Sequence, residues 1–230
     1  MKLPHNLTQQ LTHTLGLAII NGKYPVGQGM PSEAEICEEF EVSRSSTREA
    51  VKMLSAKGLI SSRPKQGIRV LPENNWNMFD TDILSWILKS KPSLILLKEF
   101  LQVRLAMEPV AAELAAKNAT PTHLQNIEKA LGRMSDAKDG LDDALDSEIA
   151  FHCAILEASG NRFFIQLKDF INTALRVSTR YQNYIYEDQH DFVNTHELIF
   201  KSIKSGNAQA AKESTNIFLE TILQRVESKL

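Results

Sequence analysis

The sequence predicts a mainly α protein made of an N-terminal winged helix-turn-helix domain and an all-α helical bundle. Its 230 residues exceed one typical domain. The first 72 residues follow the order helix, helix, helix, hairpin, and from residue 76 onward apolar residues recur with helical spacing. We therefore divide the chain into a winged-helix domain over residues 1–72, a linker helix over residues 73–90 and a helical domain over residues 91–230.

The helices of the N-terminal domain are marked by their capping residues. Ser32 stands three residues before Glu35, which is the spacing of a capping box, and Ser43 occupies the cap position of the next helix. Only residues 41–42 separate these two helices, and so short a turn is typical of a helix-turn-helix. An amphipathic helix over residues 7–21 precedes them.

Two short strands follow the third helix. Residues 59–63 and 68–71 flank a Pro/Gly turn at residues 64–67, a pattern that predicts a β-hairpin. A helix-turn-helix followed by a basic hairpin is a winged helix, whose third helix enters the major groove of DNA.

The charge distribution agrees with nucleic-acid binding. The whole chain has a net charge of −2, yet residues 43–69 contain seven basic residues and one acid. A positive charge concentrated in this way favours a DNA-binding surface. From charge alone, a solvated charged face remains an equal alternative.

The predicted DNA contacts lie at the start of the third helix and at the tip of the hairpin. They are Ser43, Arg44, Ser45, Thr47, Arg48 and Lys65. Arg44 and Arg48 are the candidates for guanine, because the planar guanidinium matches O6 and N7 together. Lys65 is expected in the flanking minor groove. The alternative is a winged helix that contacts protein, with both arginines as ordinary surface charges.

The second domain is predicted to be all helical. Periodic segments cover residues 77–89, 94–118, 121–137, 141–158, 161–186, 192–205 and 208–229. No apolar run approaches the roughly 20 residues of a membrane span, and the N-terminus lacks the apolar core of a secretory signal. Cys37 and Cys153 fit no metal-binding spacing, so we expect reduced thiols, with a disulfide as the alternative, and a cytoplasmic protein.

Motifs of the N-terminal domain resemble the GntR family of bacterial transcription regulators. The matching residues are Met30-Pro31-Ser32-Glu33, Ser43-Arg44, Arg48-Glu49-Ala50, Lys57-Gly58-Leu59-Ile60 and Gly67. The resemblance implies operator DNA as the partner and adds Ser32 and Gly67 to the expected contacts. The family often has an arginine where this chain has Ala34, which puts the usual operator sequence in doubt.

The second domain resembles the FCD ligand-binding domain of the FadR subfamily. The matching residues are Arg104, Glu108-Pro109, Ala111-Ala112, Ala115-Ala116, Phe151-His152, Ser159-Gly160-Asn161, His196 and Gly206-Asn207. Asn75-Trp76-Asn77, Asp80-Thr81-Asp82 and Trp86 are similar to the galactonate-responsive branch of the subfamily. The resemblance implies a homodimer on palindromic double-stranded operator DNA and a small carboxylate effector, with an aldonate such as galactonate as the candidate.

Many FCD domains hold a divalent metal through one carboxylate and three histidines. Glu148 and His152 are four residues apart, which places both on one face of a helix. His196 fits the second family histidine, and the position of the third is occupied by Phe218. We expect Glu148, His152 and His196 to bind Zn²⁺, Ni²⁺ or Mn²⁺. Alternatively, the two histidines form hydrogen bonds in a polar cavity without metal.

Arg104 is the candidate for binding the effector carboxylate. It lies on a helix whose other faces are apolar, where an unpaired guanidinium is costly. Either it pairs with Glu108 four residues later, or it binds an effector carboxylate through two hydrogen bonds. Asn161 and Arg176 are weaker candidates for the same cavity.

The leading interpretation is a ligand-responsive repressor of a sugar-acid operon, released from DNA by its effector. Two alternatives are a regulator that responds to acyl-CoA without metal and a metal-dependent enzyme. The enzyme is disfavoured because the sequence offers no nucleophile, phosphate-binding loop or second acid–base pair.

Overall fold

The computed structural model describes residues 7–90, 93–178 and 189–230. The chain divides into two compact units, Met1–Pro92 and Ser93–Leu230. His5, which its polar sequence surroundings predict to be a surface residue, and the C-terminal part of the helix predicted over residues 161–186 lie outside the described residues.

The first unit consists of helices around a small antiparallel sheet. In chain order its elements are α1 (Leu7–Ile20), α2 (Glu33–Glu39), α3 (Arg44–Ala56), β1 (Ile60–Arg63), β2 (Gly67–Val70), a 3₁₀ turn (Glu73–Asn75) and α4 (Thr81–Ser90). The predicted winged helix is confirmed. Its core joins the buried faces of α1 and α3 to the inner side chains of the hairpin.

The caps of α2 and α3 follow the predicted pattern. Ser32 Oγ accepts a hydrogen bond from the Glu35 amide at 3.3 Å, and the Ser32 amide donates to Glu35 Oε2 at 2.7 Å. Ser43 Oγ accepts from the Ser46 amide at 3.1 Å. These bonds satisfy backbone amides in the first turns of α2 and α3, which have no hydrogen-bond acceptor within their own helix.

The two strands form the hairpin of the wing. Ile60 pairs with Val70 and Arg63 with Gly67. The Gln66 amide donates to the Arg63 carbonyl at 3.1 Å, which closes the turn over Pro64 and Lys65. Inward Ile68 and Val70 are buried, whereas the side chain of Arg69 between them is exposed.

The predicted linker helix, α4, packs within the first unit. It begins at Thr81, later than predicted, because Asp80 Oδ1 accepts from the amides of Asp82 and Ile83 and so caps the helix. Trp86 is buried against Gly16 of α1, where a Cβ atom would lie 2.3 Å from the indole ring. Only glycine fits α1 at this contact.

The second unit is a helical bundle. Its elements are α5 (Leu94–Asn118), α6 (Pro121–Lys138), α7 (Ala144–Ala158), α8 (Arg162–Gln166), α9 (Lys168–Ser178), α10 (Gln189–Lys204) and α11 (Ala208–Glu227). Helix α5 packs along α11 and α7, and α7 also packs against α6 and α9. The predicted all-α class of this domain is confirmed.

The single helix predicted over residues 161–186 is interrupted. The structure has α8 and α9 in its place, separated at Leu167. The Leu167 amide bonds to the Phe164 carbonyl three residues earlier, which tightens and ends α8 before α9 begins. Apolar periodicity continued across this short break and concealed it.

Two further expectations concern membranes and thiols. Among the described helices, none is both long enough and apolar enough to cross a membrane. Cys37 and Cys153 are both free. Burial raises the pKa of the Cys153 thiol to about 11, so this group is protonated at neutral pH.

Candidate functional sites

The first candidate site is the exposed surface at the start of α3. Arg44, Ser45 and Arg48 are all exposed there. The two arginines are four residues apart, so their side chains leave the same side of the helix. This is the arrangement by which a winged helix presents side chains to base edges.

Thr47 corrects the predicted set of DNA contacts. Its side chain is fully buried, and Oγ1 lies 3.2 Å from Cys37 Sγ and donates to the Ser43 carbonyl at 3.2 Å. Thr47 therefore faces α2 and fixes the angle between the two helices. It cannot reach DNA from this position.

Ser32 and Ser43 are exposed residues that act as helix caps. The Ser43 hydroxyl also lies 2.9 Å from Ser45 Oγ. The Ser32 and Ser43 hydroxyls thus cap the starts of α2 and α3, and the dipole of α3 favours a phosphate near its N-terminus.

The wing contributes further positive charge. Arg63, Lys65 and Arg69 are exposed along it, and Gly67 ends the turn. Lys65 and Gly67 have φ angles of 66° and 71°. The Arg69 guanidinium donates to the Gly27 carbonyl at 3.2 Å, which ties the wing to the loop before α2.

Two of the contacts that were missed from the sequence are ion pairs made by Arg48 and Lys57. Arg48 Nε donates to Glu33 Oε2 at 3.1 Å. Lys57 Nζ lies 2.8 Å from carboxylate oxygens of Asp80 and Asp82, so it holds α3 to α4 instead of facing DNA. Both pairs join different helices, and no spacing within one helix could have indicated them.

The second candidate site is a polar cluster buried inside the helical bundle. Arg104 and Glu108 of α5 are 1% and 3% exposed and form a two-point ion pair, with Nε–Oε1 2.5 Å and Nη2–Oε2 3.2 Å. Of the two alternatives for Arg104, the structure therefore has the Glu108 pair. The i, i+4 spacing was the signal for it.

Two histidines extend this cluster. His152 Nδ1 lies 2.8 Å from Glu108 Oε2, and Arg104 Nη2 lies 3.0 Å from His152 Nε2. His196 Nδ1 lies 2.8 Å from the Phe192 carbonyl, and the Nε2 atoms of the two histidines are 3.4 Å apart. The structure thus brings together Arg104, His152 and His196, three of the predicted residues.

The environment fixes the charges of the cluster. Burial, together with the neighbouring His152, lowers the pKa of His196 to about 3, so this imidazole is neutral at pH 7. Its Nδ1–H then donates to the Phe192 carbonyl and leaves Nε2 as an acceptor. Burial opposes ionisation of Glu108, but its contacts with the Arg104 guanidinium and with His152 outweigh it and hold the pKa of Glu108 well below its usual value.

Aromatic rings surround the two histidines. The Phe218 ring centroid is 4.6 Å from that of His196 and 6.0 Å from that of His152. Phe151 lies 5.0 Å from His196. Phe218, which stands where the resemblance predicts the third family histidine, is buried, and a phenyl ring cannot coordinate a metal.

The histidine pair fits half of a metal site. Both Nδ1 atoms are next to acceptors, an arrangement that leaves Nε2 to the metal in many sites, but Arg104 Nη2 lies 3.0 Å from His152 Nε2 and would have to give way to an ion. Nitrogens about 2.1 Å from a tetrahedral Zn²⁺ are about 3.4 Å apart, which matches the Nε2 separation. Glu148 is buried on the same helix as His152. Among the described residues, however, no three His, Cys, Asp or Glu side chains lie close enough together to coordinate one metal ion.

Arg176 and Asn161 are placed outside the buried cluster. Arg176 is half exposed and donates to Asp146 Oδ1 at 2.6 Å and to Asn172 Oδ1 at 2.9 Å. Asn161 Oδ1 accepts from the Phe163 amide at 2.9 Å and caps α8. These contacts account for both side chains. The prediction that Arg176 and Asn161 line the effector cavity is therefore corrected.

Comparison with known proteins supports a DNA-binding first unit and a ligand-binding second unit. Residues 7–70 match the model of bacterial regulatory proteins of the gntR family, and residues 99–221 match that of the FCD domain. The chain is 32% identical to the galactonate operon transcriptional repressor of Escherichia coli, over 96% of this chain and 97% of that protein. It is 27% identical to the Uxu operon transcriptional regulator of Escherichia coli, over 90% and 82% of the two chains.

A solved structure shows the same architecture. The Streptococcus agalactiae GntR protein superposes with a TM-score of 0.54 at 27% identity, covering 94% of this chain and 99% of that one. With both domain models matched in order, and with a winged helix followed by a helical ligand-binding domain, the chain belongs to the GntR family of DNA-binding transcription regulators and carries an FCD domain.

Proposed function

We propose that the protein represses a sugar-acid operon and leaves its operator when a small carboxylate binds the buried cluster of the second unit. The observation that carries this proposal is the set Arg104, Glu108, His152 and His196, which places four polar side chains in an apolar bundle. Buried ionisable groups of this kind are costly, and they concentrate at functional sites.

The chemistry of the cluster favours a hydroxylated carboxylate. Arg104 supplies a positive donor group for a carboxylate, and neutral His196 offers the single lone pair of Nε2, either directly to an effector hydroxyl or to a metal ion that the hydroxyl would bind. An aldonate such as galactonate has both groups, and a relative of this chain is named for the galactonate operon. An acyl chain has no polar group that could replace the internal contacts of these side chains, so opening the cluster to admit one would leave them without partners.

A divalent metal is part of this proposal. His152 and His196 would hold Zn²⁺, Ni²⁺ or Mn²⁺, the Glu148 carboxylate would have to move to join them as a ligand, and the ion would polarise oxygens of the effector. Phe218 leaves the protein one ligand short of the family pattern, so we expect the effector to complete the coordination.

On the DNA side, Arg44 and Arg48 would contact guanines and Lys65 the flanking backbone or minor groove. A single winged helix contacts few base pairs, so we propose a homodimer on a palindromic operator. Its target is chromosomal DNA, which places it in the bacterial cytoplasm, and we propose no enzymatic activity.

Thermal unfolding of the full chain tests the effector site. Ligand binding to the native state raises the melting temperature. We expect galactonate or another aldonate to stabilise the protein, more strongly with Zn²⁺ than after chelation. Hexuronates, lactate, citrate and acyl-CoA should stabilise it less.

Matched variants identify the site. His196→Asn keeps a donor for the Phe192 carbonyl and removes Nε2, so it should abolish the aldonate shift. Asp146→Asn changes an exposed carboxylate on the same bundle and should respond like wild type. Stabilisation by acyl-CoA alone, or an unchanged response of His196→Asn, would show that the effector site is wrongly assigned.

A further inference from the structure

We propose that Glu33 is the positioning residue for Arg48 and thereby helps to set which operator sequence the protein prefers. The inference rests on the proposed role of Arg48 in recognising a guanine. It assigns a function to a carboxylate that lies on a surface otherwise suited to polyanionic DNA.

The geometry shows which edge of the guanidinium is engaged. Glu33 Oε2 accepts from Arg48 Nε at 3.1 Å. The carboxylate therefore lies at the Nε side of the planar group. Recognition of guanine O6 and N7 by two parallel hydrogen bonds uses donors at the edge of the same plane. A carboxylate bound at Nε orients that plane without occupying the outermost amino groups.

Stability does not account for the pair. The side chains of Arg48 and Glu33 are 70% and 39% exposed, and ion pairs at such sites stabilise proteins little. Near DNA, a carboxylate also repels phosphates. The Arg48–Glu33 pair therefore adds little stability and weakens DNA attraction. Its benefit is that it restricts the flexible Arg48 side chain before DNA binds.

The neighbouring acid serves a different purpose. Glu35 is held by the Ser32 amide and hydroxyl, each at 2.7 Å from Oε2, and these bonds lower the pKa of Glu35. Glu35 therefore belongs to the cap of α2. Glu33, at the first position of that helix, is the acid in contact with the recognition helix α3.

The test compares base preferences of the full-length protein. Duplexes selected from a random DNA library by the wild type are sequenced, and the selection is repeated with Arg48→Ala, Glu33→Gln and Glu39→Gln. Glu39 is the matched control, because it also lies on α2 and forms an exposed pair, with Lys23 at 3.3 Å. All three variants should melt like wild type.

We expect Arg48→Ala to remove the preference at one base pair of each half-site. Glu33→Gln should weaken the preference at that same base pair about three- to tenfold, part of what an arginine–guanine pair supplies. Its affinity for unselected DNA should stay equal or rise. Glu39→Gln should leave the preference unchanged, and Glu33→Gln should add no effect to Arg48→Ala.

The outcomes separate this inference from the proposed function. If Arg48→Ala leaves every base preference unchanged, the role assigned to Arg48 is wrong. If Arg48→Ala removes a preference that Glu33→Gln retains, Arg48 contacts the base without help from Glu33. Equal weakening on all sequences by Glu33→Gln would also overturn the positioning role.

Discussion

At the scale of single residues, Lys65 combines an unfavourable backbone conformation with an exposed positive charge at the tip of the wing. It follows Pro64 in the wing turn and has a φ of 66°, a conformation that glycine or asparagine adopts more easily than lysine. A side chain with a Cβ atom costs about 1–2 kcal/mol there. A lysine at this exposed tip is consistent with a DNA contact that offsets the strain.

Replacing Lys65 therefore should separate stability from binding. We expect Lys65→Gly to raise the free energy of unfolding by up to about 1 kcal/mol, because the strain is removed. Its DNA affinity should fall, with the slope of log affinity against log salt reduced by about 1. Urea unfolding and salt titrations measure both effects. Lys65→Arg is the control that keeps the charge, and an unchanged salt slope in Lys65→Gly would remove Lys65 from the interface.

The predicted sites also show for which residues the sequence predicts burial and contacts. Thr47 stands three residues before Ala50 and four before Val51, both in the core, so helical spacing indicates that it is buried, whereas its place next to Arg48 favours a DNA contact. Glu108 was visible at i+4 from Arg104. The contact of Arg48 with Glu33 depends on how two helices pack, and spacing along the chain carries no such information.

At the scale of elements, Lys57 connects the end of α3 to the start of α4. Its side chain is 12% exposed, and Nζ lies 2.8 Å from oxygens of both Asp80 and Asp82. Burial disfavours the charged amine, but hydrogen bonds to the two carboxylates outweigh it and raise the pKa of Lys57. This contact explains why the linker helix folds as part of the winged-helix unit.

Removing this connection should destabilise the first unit. We expect Lys57→Met to lower the free energy of unfolding by about 1–3 kcal/mol, since two carboxylates lose a partly buried partner. Lys52→Met is the matched control, because its ammonium lies 3.5 Å from Glu49 in an exposed pair and should matter by less than about 0.5 kcal/mol. Equal effects of the two variants in urea unfolding would contradict this role.

Helix boundaries were predictable where a cap coincides with a change in apolar pattern. Helix α5 begins and ends at the residues expected, Leu94 and Asn118, between the Ser93 cap and the turn before Pro121. The start of α4 and the break at Leu167 were missed, because both depend on local hydrogen bonds within continuous apolar periodicity.

At the scale of the whole molecule, family motifs placed both domains and their order. The same motifs left open whether Arg104 pairs with Glu108 or with an effector, and they could not show that aromatic rings enclose the histidines. In the proposed function, the effector would therefore enter a cluster in which Arg104 and Glu108 already form an ion pair. The binding free energy of the effector has to exceed the cost of rearranging those contacts. DNA affinity changes only to the extent that the effector binds the DNA-free conformation more tightly than the DNA-bound one.

Effector-dependent release from DNA is the most direct test of this account. A fluorescent duplex carrying a selected operator is bound by the full-length protein and titrated with galactonate and other aldonates, followed by fluorescence anisotropy. We predict that an aldonate weakens operator binding at least about tenfold, a coupling within the usual range, and that His196→Asn binds the operator but does not respond. Operator affinity that is unchanged by every aldonate, or release of His196→Asn at wild-type concentrations, would contradict the account.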